Sequence, residues 1–172
     1  MTAERSSQGK ASSGAPATGA VRLREIAEAD LEILFEQQND PVAYRMAAFP
    51  PRDRPAFMAH WATILRDRSV RARAIVVVDD VAGYVACFEK DGRRLVGYWL
   101  GRTFWGRGFA TAALRLFLRE IPERPLYALV ARTNLRSIRV LEKCGFAERS
   151  SSDHSRTDSA TPVQETLFRL DE

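Results

Sequence analysis

Three groups of residues in this chain have types and spacings suited to chemistry. The first is Arg102-Thr103-Phe104-Trp105-Gly106-Arg107-Gly108, running into Phe109-Ala110-Thr111. The paired glycines let the backbone approach a ligand closely. The first N–H groups of a following helix lack partners, and its dipole makes that end positive. With Arg102 and Arg107 alongside, the guest this suits is a phosphate or a diphosphate. No GxxxxGK[ST] run is present, and Gly106-Arg107-Gly108 lacks the third glycine of a dinucleotide fingerprint. The second group is Asn134 with Ser137 three residues on, a helix N-cap and a first-turn hydroxyl. The third is a pair of candidate proton acceptors, Glu89 and, behind it, His60.

These groups need elements to hold them. Leu95 to Leu100 is rich in β-formers and reads as a buried strand ahead of the glycine turn. After the turn, Ala110, Leu114, Phe117, Leu118 and Ile121 recur at helical spacing. A main-chain N–H between Trp99 and Gly101 is placed to polarise a carbonyl oxygen. Upstream, Val21–Ile26 reads as a strand and Glu28–Gln38 as a helix that Asn39-Asp40-Pro41 stops. Residues 42–52 are expected as a loop or broken helix ending at Pro50-Pro51. A helix over 55–66 should turn Phe57, Trp61, Ile64 and Leu65 inward. Residues 73–78 and 81–88 read as antiparallel strands, with Gly83 at a bulge or close approach. Asp91-Gly92 makes the next hairpin turn. Strands at 126–130, 146–149 and 164–170 flank a helix from Asn134 to Cys144 that Gly145 ends. The polar run 150–162 reads as a mobile loop. The reading is α/β, a mixed sheet in the order β-αα-βββ-α-β-α-ββ.

Composition bounds the classes. The 172 residues suit one domain over 21–172, behind a tail over 1–20 that has little to bury and is expected to be disordered. The net charge is +4, and its arginines are scattered rather than interleaved with aromatics. An anionic cofactor accounts for that balance, and no nucleic-acid partner is expected. Cys87 and Cys144 make neither a disulfide framework nor a metal site. No apolar run approaches the ~20 residues of a membrane span and no apolar leader is present, so a cytoplasmic protein without membrane contact is expected.

The segment Gly97-Tyr98-Trp99-Leu100-Gly101, continued by Phe104-Trp105-Gly106-Arg107-Gly108-Phe109-Ala110-Thr111, resembles the acetyl-CoA loop of GNAT N-acetyltransferases. It looks most like the branch that acetylates ribosomal-protein N-termini. The run from Asn134 to Phe146 is similar to that branch's N-x-x-S-x-x-x-L-E-K-x-G-F signature. The resemblance implies acetyl-CoA as cosubstrate, bound by Trp99, Leu100, Gly101, Arg102, Gly106, Arg107, Gly108, Phe109, Ala110, Thr111, Asn134 and Ser137. It implies direct attack by a primary amine, either a protein N-terminus or a small molecule, in a ternary complex. A splay between the strand at 98–101 and that at 126–130 would admit the pantetheine arm, and the first helical pair would roof the acceptor. Ser137 or a water is expected to protonate the leaving thiolate, unless it leaves unaided, because the tyrosine many relatives carry seven residues after the asparagine is Leu141 here. An acidic residue common two before the glycine of GYWL is Leu95 here, which leaves Glu89 as the expected base. A monomer or homodimer is expected. The alternative is a non-catalytic acyl-CoA-binding module of the same fold.

Overall fold

A computed structural model of the chain describes residues 21–156 and 163–172. The strands are β1 (Val21–Arg24), β2 (Arg71–Val77), β3 (Asp80–Lys90), β4 (Arg93–Leu100), β5 (Leu126–Ala131), β6 (Ala147–Arg156) and β7 (Val163–Leu170). The helices are α1 (Leu31–Gln38), α2 (Pro41–Ala47), α3 (Arg54–Arg66), α4 (Phe109–Glu120) and α5 (Leu135–Lys143). The strands form one seven-stranded sheet in the order β1-β2-β3-β4-β5-β7-β6. All neighbours are antiparallel except β4 and β5. That is the expected mixed α/β fold, with one more helix than expected.

The added helix follows from residues already noticed for another purpose. Asn39-Asp40-Pro41 does end α1, but it also starts α2. The Asp40 carboxylate accepts from the Val42 and Ala43 N–H groups at 2.8 and 3.2 Å, and Pro41 sits where a missing N–H does no harm. Ala48, at φ 48°, closes the helix in the left-handed region. Asp53 caps α3 in the same manner through Ala56 N–H, with Pro55 in the first turn. Phe57 and Trp61 are fully buried, whereas Leu65 turns out to solvent at 44% exposure, contrary to the inward face read for it.

Two apolar clusters hold the sheet between layers. On one face, Ile75, Val85, Val96 and Leu100 pack against Phe109, Ala113, Leu114 and Phe117 of α4 and Leu141 of α5. On the other, Ala74, Val76 and Val81 meet Leu31 and Leu34 of α1 and Phe57 and Trp61 of α3. Gly83 makes the close approach read for it. The β2–β3 register slips beside it, and β4 backbone lies against its Cα.

The polar run after Arg149 is corrected in part. Residues 150–156 continue β6, which pairs its backbone with β7 through Ser150↔Leu167 and His154↔Glu165. β6 is the last strand of the sheet, an edge position where polar and charged residues guard the unpaired backbone against joining another chain. The remainder of that run, 157–162, and the tail over 1–20 lie outside the described residues. Among the described residues no helix is long and apolar enough to cross a membrane.

Candidate active site

β4 is bonded along its whole length to β3, yet it meets β5 only at Leu95↔Tyr127. Beyond that point the two parallel strands part, and the β5-facing edge of β4 lies open from Val96 to Leu100. This is the splay that the resemblance implied. Ladder geometry then says which backbone groups face the opening. Gly101 N–H donates to Ala82 O at 2.8 Å, so Gly101 and, two residues back, Trp99 direct their N–H groups to β3. Alternation turns the Leu100 and Tyr98 N–H groups the other way. Of the three candidates for a carbonyl-polarising donor, only Leu100 therefore presents an N–H to the gap.

The gap opens into a cleft of about 420 Å³, lined by Ala43, Met46 and Ala47 of α2, the end of β4, the start of α4 and one face of α5. At its floor the chain turns into α4 through Gly106 (φ 75°) and Gly108 (φ 80°). That conformation costs an L-residue about 1 kcal/mol or more. A Cβ on Gly106 would meet nothing within 4 Å, so the constraint there is conformational and not spatial. Gly108 is the N-cap of α4, and among the described residues no side chain caps its first-turn N–H groups. Phe109, Ala110 and Thr111 thus bring unpaired donors to the cleft wall. Trp105 fixes the turn to the strand by donating its indole N–H to Leu100 O at 2.7 Å.

The structure divides the expected site residues. Trp99, Leu100, Gly106, Gly108, Phe109, Ala110, Thr111, Asn134 and Ser137 all line the cleft. Asn134 accepts from Ser137 N–H at 3.1 Å as the α5 cap. Its amide nitrogen has no protein partner among the described residues, which leaves it available to a ligand. Gly101 is buried and bonded to Ala82. Arg102 is paired with Asp40 at 2.9 Å and Arg107 lies over the Phe109 ring at 4.7 Å, and neither is among the residues that line the cleft. Positive charge comes instead from α5, where Arg136, Arg139 and Lys143 line the cleft. Their spacing of three and four residues was the available signal, since it puts all three on one helical face.

Glu89 is not brought to the site. It pairs with Arg94 at the far end of the β3–β4 ladder, five residues along from Tyr84, which pairs with Trp99. At about 3.3 Å per residue that is roughly 17 Å away. Among the described residues, no carboxylate lines the cleft. On the Trp99 side, Phe49 meets the Trp99 ring edge-on at 6.3 Å, and the Arg52 guanidinium lies 5.0 Å over Phe49. His60 shares that neighbourhood: partial desolvation and then the Arg52 charge lower its pKa. Tyr84, half-buried and paired with Trp99 across the ladder, is pushed up to about 12 by desolvation.

One residue that sequence reasoning assigned to the core belongs to the site. The Tyr98 hydroxyl lies 2.7 Å from Ser137 Oγ and 3.1 Å from Ser137 O, inside the cleft. An aromatic in a buried strand has no sequence mark that separates packing from function.

An open strand edge leading to an uncapped helix start, with a basic helix face opposite, is the architecture of an acyl-CoA-dependent acyltransferase. The strand edge suits an extended amide-bearing arm and the helix start a diphosphate. A family model for the acetyltransferase (GNAT) domain matches residues 20–147, and the chain belongs to that family. It is similar to the uncharacterized N-acetyltransferase p20 of Bacillus licheniformis, at 25% identity over 142 residues, 75% of this chain and 80% of that one. Among solved structures it is similar to spermidine N-acetyltransferase from Vibrio cholerae in complex with CoA and spermine. The identity is 16%, with 88% of this chain and 94% of that chain covered, at a TM-score of 0.72. It is also similar to the Microcin C7 self immunity acetyltransferase MccE in complex with acetyl-CoA and AMP, at 17% identity over 89% and 93% of the two chains, with a TM-score of 0.75. The protein is an acetyl-CoA-dependent acetyltransferase.

Proposed function

We propose that this chain acetylates an amine of low basicity, a protein or peptide N-terminus, by direct attack in a ternary complex. The observation that carries this reading is that no carboxylate of the described residues lines the cleft. A reacting amine must first be neutral. For a lysine-like amine near pKa 10.4, deprotonation at pH 7.4 costs about 4 kcal/mol, against under about 1 kcal/mol for an α-amine near 7.7–8.0. A site without a carboxylate base suits the second. Arg52 near the Trp99 side also disfavours a polycation, and the α2 carboxylate, Asp40, is taken up by its cap and by Arg102.

Acetyl-CoA supplies the activated acetyl carbon, and the residues present fit its parts. The first-turn N–H groups of α4 would hold the diphosphate, assisted by Arg136, Arg139 and Lys143. The Asn134 amide and the open β4 edge would hold the amide-bearing arm. Leu100 N–H would face the developing oxyanion. Ser137 would donate to the leaving sulfur. His60, whose pKa burial and then the Arg52 charge lower, would take the proton from the attacking amine, directly or through water.

The test is thiol release from acetyl-CoA with a seryl peptide and with spermidine, at pH 7 and pH 9. The peptide is expected to react faster at pH 7, with the gap narrowing at pH 9 as the polyamine deprotonates. His60→Gln should lower the peptide rate at pH 7 several-fold and matter less at pH 9. Preference for spermidine at pH 7 would remove the N-terminal reading, and an unaltered pH profile would remove His60.

A further inference from the structure

Tyr98 packs against the core cluster on the α4–α5 face, and its hydroxyl meets α5 at the wall of the cleft. The Ser137 carbonyl is already an acceptor in the α5 ladder, since α5 runs on to Lys143. The shorter contact, 2.7 Å, is between the two hydroxyls. When Tyr98 donates to Ser137 Oγ, the single serine hydrogen is left free to turn into the cleft. Ser137 alone would be a free rotor, and Leu141 behind it is buried hydrocarbon.

We infer that Tyr98 is a positioning residue for the reaction: its hydroxyl donates to Ser137 Oγ, and so aims the serine hydrogen at the departing sulfur of CoA. The inference rests on the acetyltransferase reading of the cleft. In the step, the amine nitrogen bonds to the acetyl carbon as the carbon–sulfur bond breaks, and sulfur leaves with the electron pair. The amine's proton goes to His60 or water. A CoA thiol ionises near 8.5, as a cysteine does. The departing thiolate therefore needs a hydrogen bond and not a full proton from two much weaker acids. Burial raises the Tyr98 phenol well above its ordinary value, which keeps it a neutral donor throughout. The charged groups that line the cleft around the pair are Arg136, Arg139 and Lys143 of α5. Cys144 is pushed up by burial, with Arg115 acting against it.

The first experiment needs no turnover. Trp99 and Trp105 line the cleft, so tryptophan fluorescence can report binding of CoA and of acetyl-CoA from pH 7 to 9.5. Wild type should bind CoA about tenfold more tightly at pH 9.5 than at pH 7 relative to acetyl-CoA, as the thiolate gains its hydrogen bond. Tyr98→Phe and Ser137→Ala should each cut that rise below threefold. In turnover, Tyr98→Phe should lower kcat about tenfold while KM for acetyl-CoA stays within twofold. The double variant should be no slower than Ser137→Ala. An undiminished pH-dependent gain in Tyr98→Phe, or a double variant that falls by the product of the two single effects, overturns the inference. If Tyr98→Phe melts too low to assay, Ser137→Ala, at the cleft surface, carries the CoA titration, and an undiminished gain there overturns it equally. A wild-type chain that binds acetyl-CoA but releases no thiol with any amine sinks the acetyltransferase reading and this inference together. Active wild type with a fully active Tyr98→Phe sinks only this one.

Discussion

A Cβ on Gly83 would stand 2.0 Å from the Trp99 carbonyl oxygen, 2.9 Å from its carbon and 3.0 Å from Leu100 Cα. All three are backbone atoms, so nothing can swing aside. The only relief is to move β4, and the part displaced is the part whose open edge forms the cleft. Gly83→Ala is therefore expected to lose more than about 2 kcal/mol of stability, as overpacking against backbone does. It should also weaken acetyl-CoA binding in whatever fraction stays folded. Urea denaturation together with a fluorescence titration checks both. A melting point within two degrees of wild type would show that the strands have slack. Gly106 makes the contrast at this scale, because it is held by its φ of 75° and has open space where a side chain would go. Gly106→Ala should lose only about 1 kcal/mol.

At the scale of elements, α5 carries two tasks on two faces. Leu141 closes the core, while Arg136, Arg139 and Lys143 face the cleft and Asn134 caps the start. Because the three cations contribute little to the core, their charge can be reversed without unfolding the helix. Arg136→Glu with Arg139→Glu is expected to raise the Kd for acetyl-CoA about 30-fold at low salt, from roughly 1 kcal/mol per reversed charge. The melting temperature should stay nearly unchanged. The wild-type Kd should itself rise between 0.02 and 0.3 M salt, since these groups are exposed and screened. A titration at both ionic strengths decides the matter: a reversed variant that binds as wild type places the anion elsewhere. The same helix explains a miss in the sequence reading. Arg102 and Arg107 flank the glycines in sequence, which made them the obvious charge partners, yet chain adjacency is not spatial adjacency. Asp40, on α2, takes Arg102, and no local pattern links positions 40 and 102.

Across the whole molecule, what was legible in the sequence is what repeats or what a cap announces. The β2-to-β4 meander, the glycine turn into α4 and the Asn134 start of α5 each carry a local signature, and each is where it was read. The length of β6, the position of Glu89 and the role of Tyr98 depend on pairings across the sheet that no window of sequence contains. Asp30 is another such case. It reads as an ordinary helix-start acid, but it is buried at 5% exposure and bonded by the Arg24 guanidinium at 2.6 and 2.9 Å and by Ala27 N–H at 2.8 Å. It thereby ties the end of β1 to the start of α1. The Arg24 hydrogen bonds hold its carboxyl below the usual value, against the opposing effect of burial. A depressed carboxyl stabilises the fold at every pH above its unfolded value near 3.9, and that stabilisation is lost as pH falls through the lower folded value. Asp30→Asn is therefore expected to lose about 2–3 kcal/mol at pH 7, where it leaves Arg24 without its carboxylate. At pH 3 the deficit should shrink, since wild type is then giving up the same interaction. Urea denaturation of both proteins at the two pH values measures it. A deficit as large at pH 3 as at pH 7 would mean that the side chain stabilises by shape and hydrogen-bond count, not by its charge.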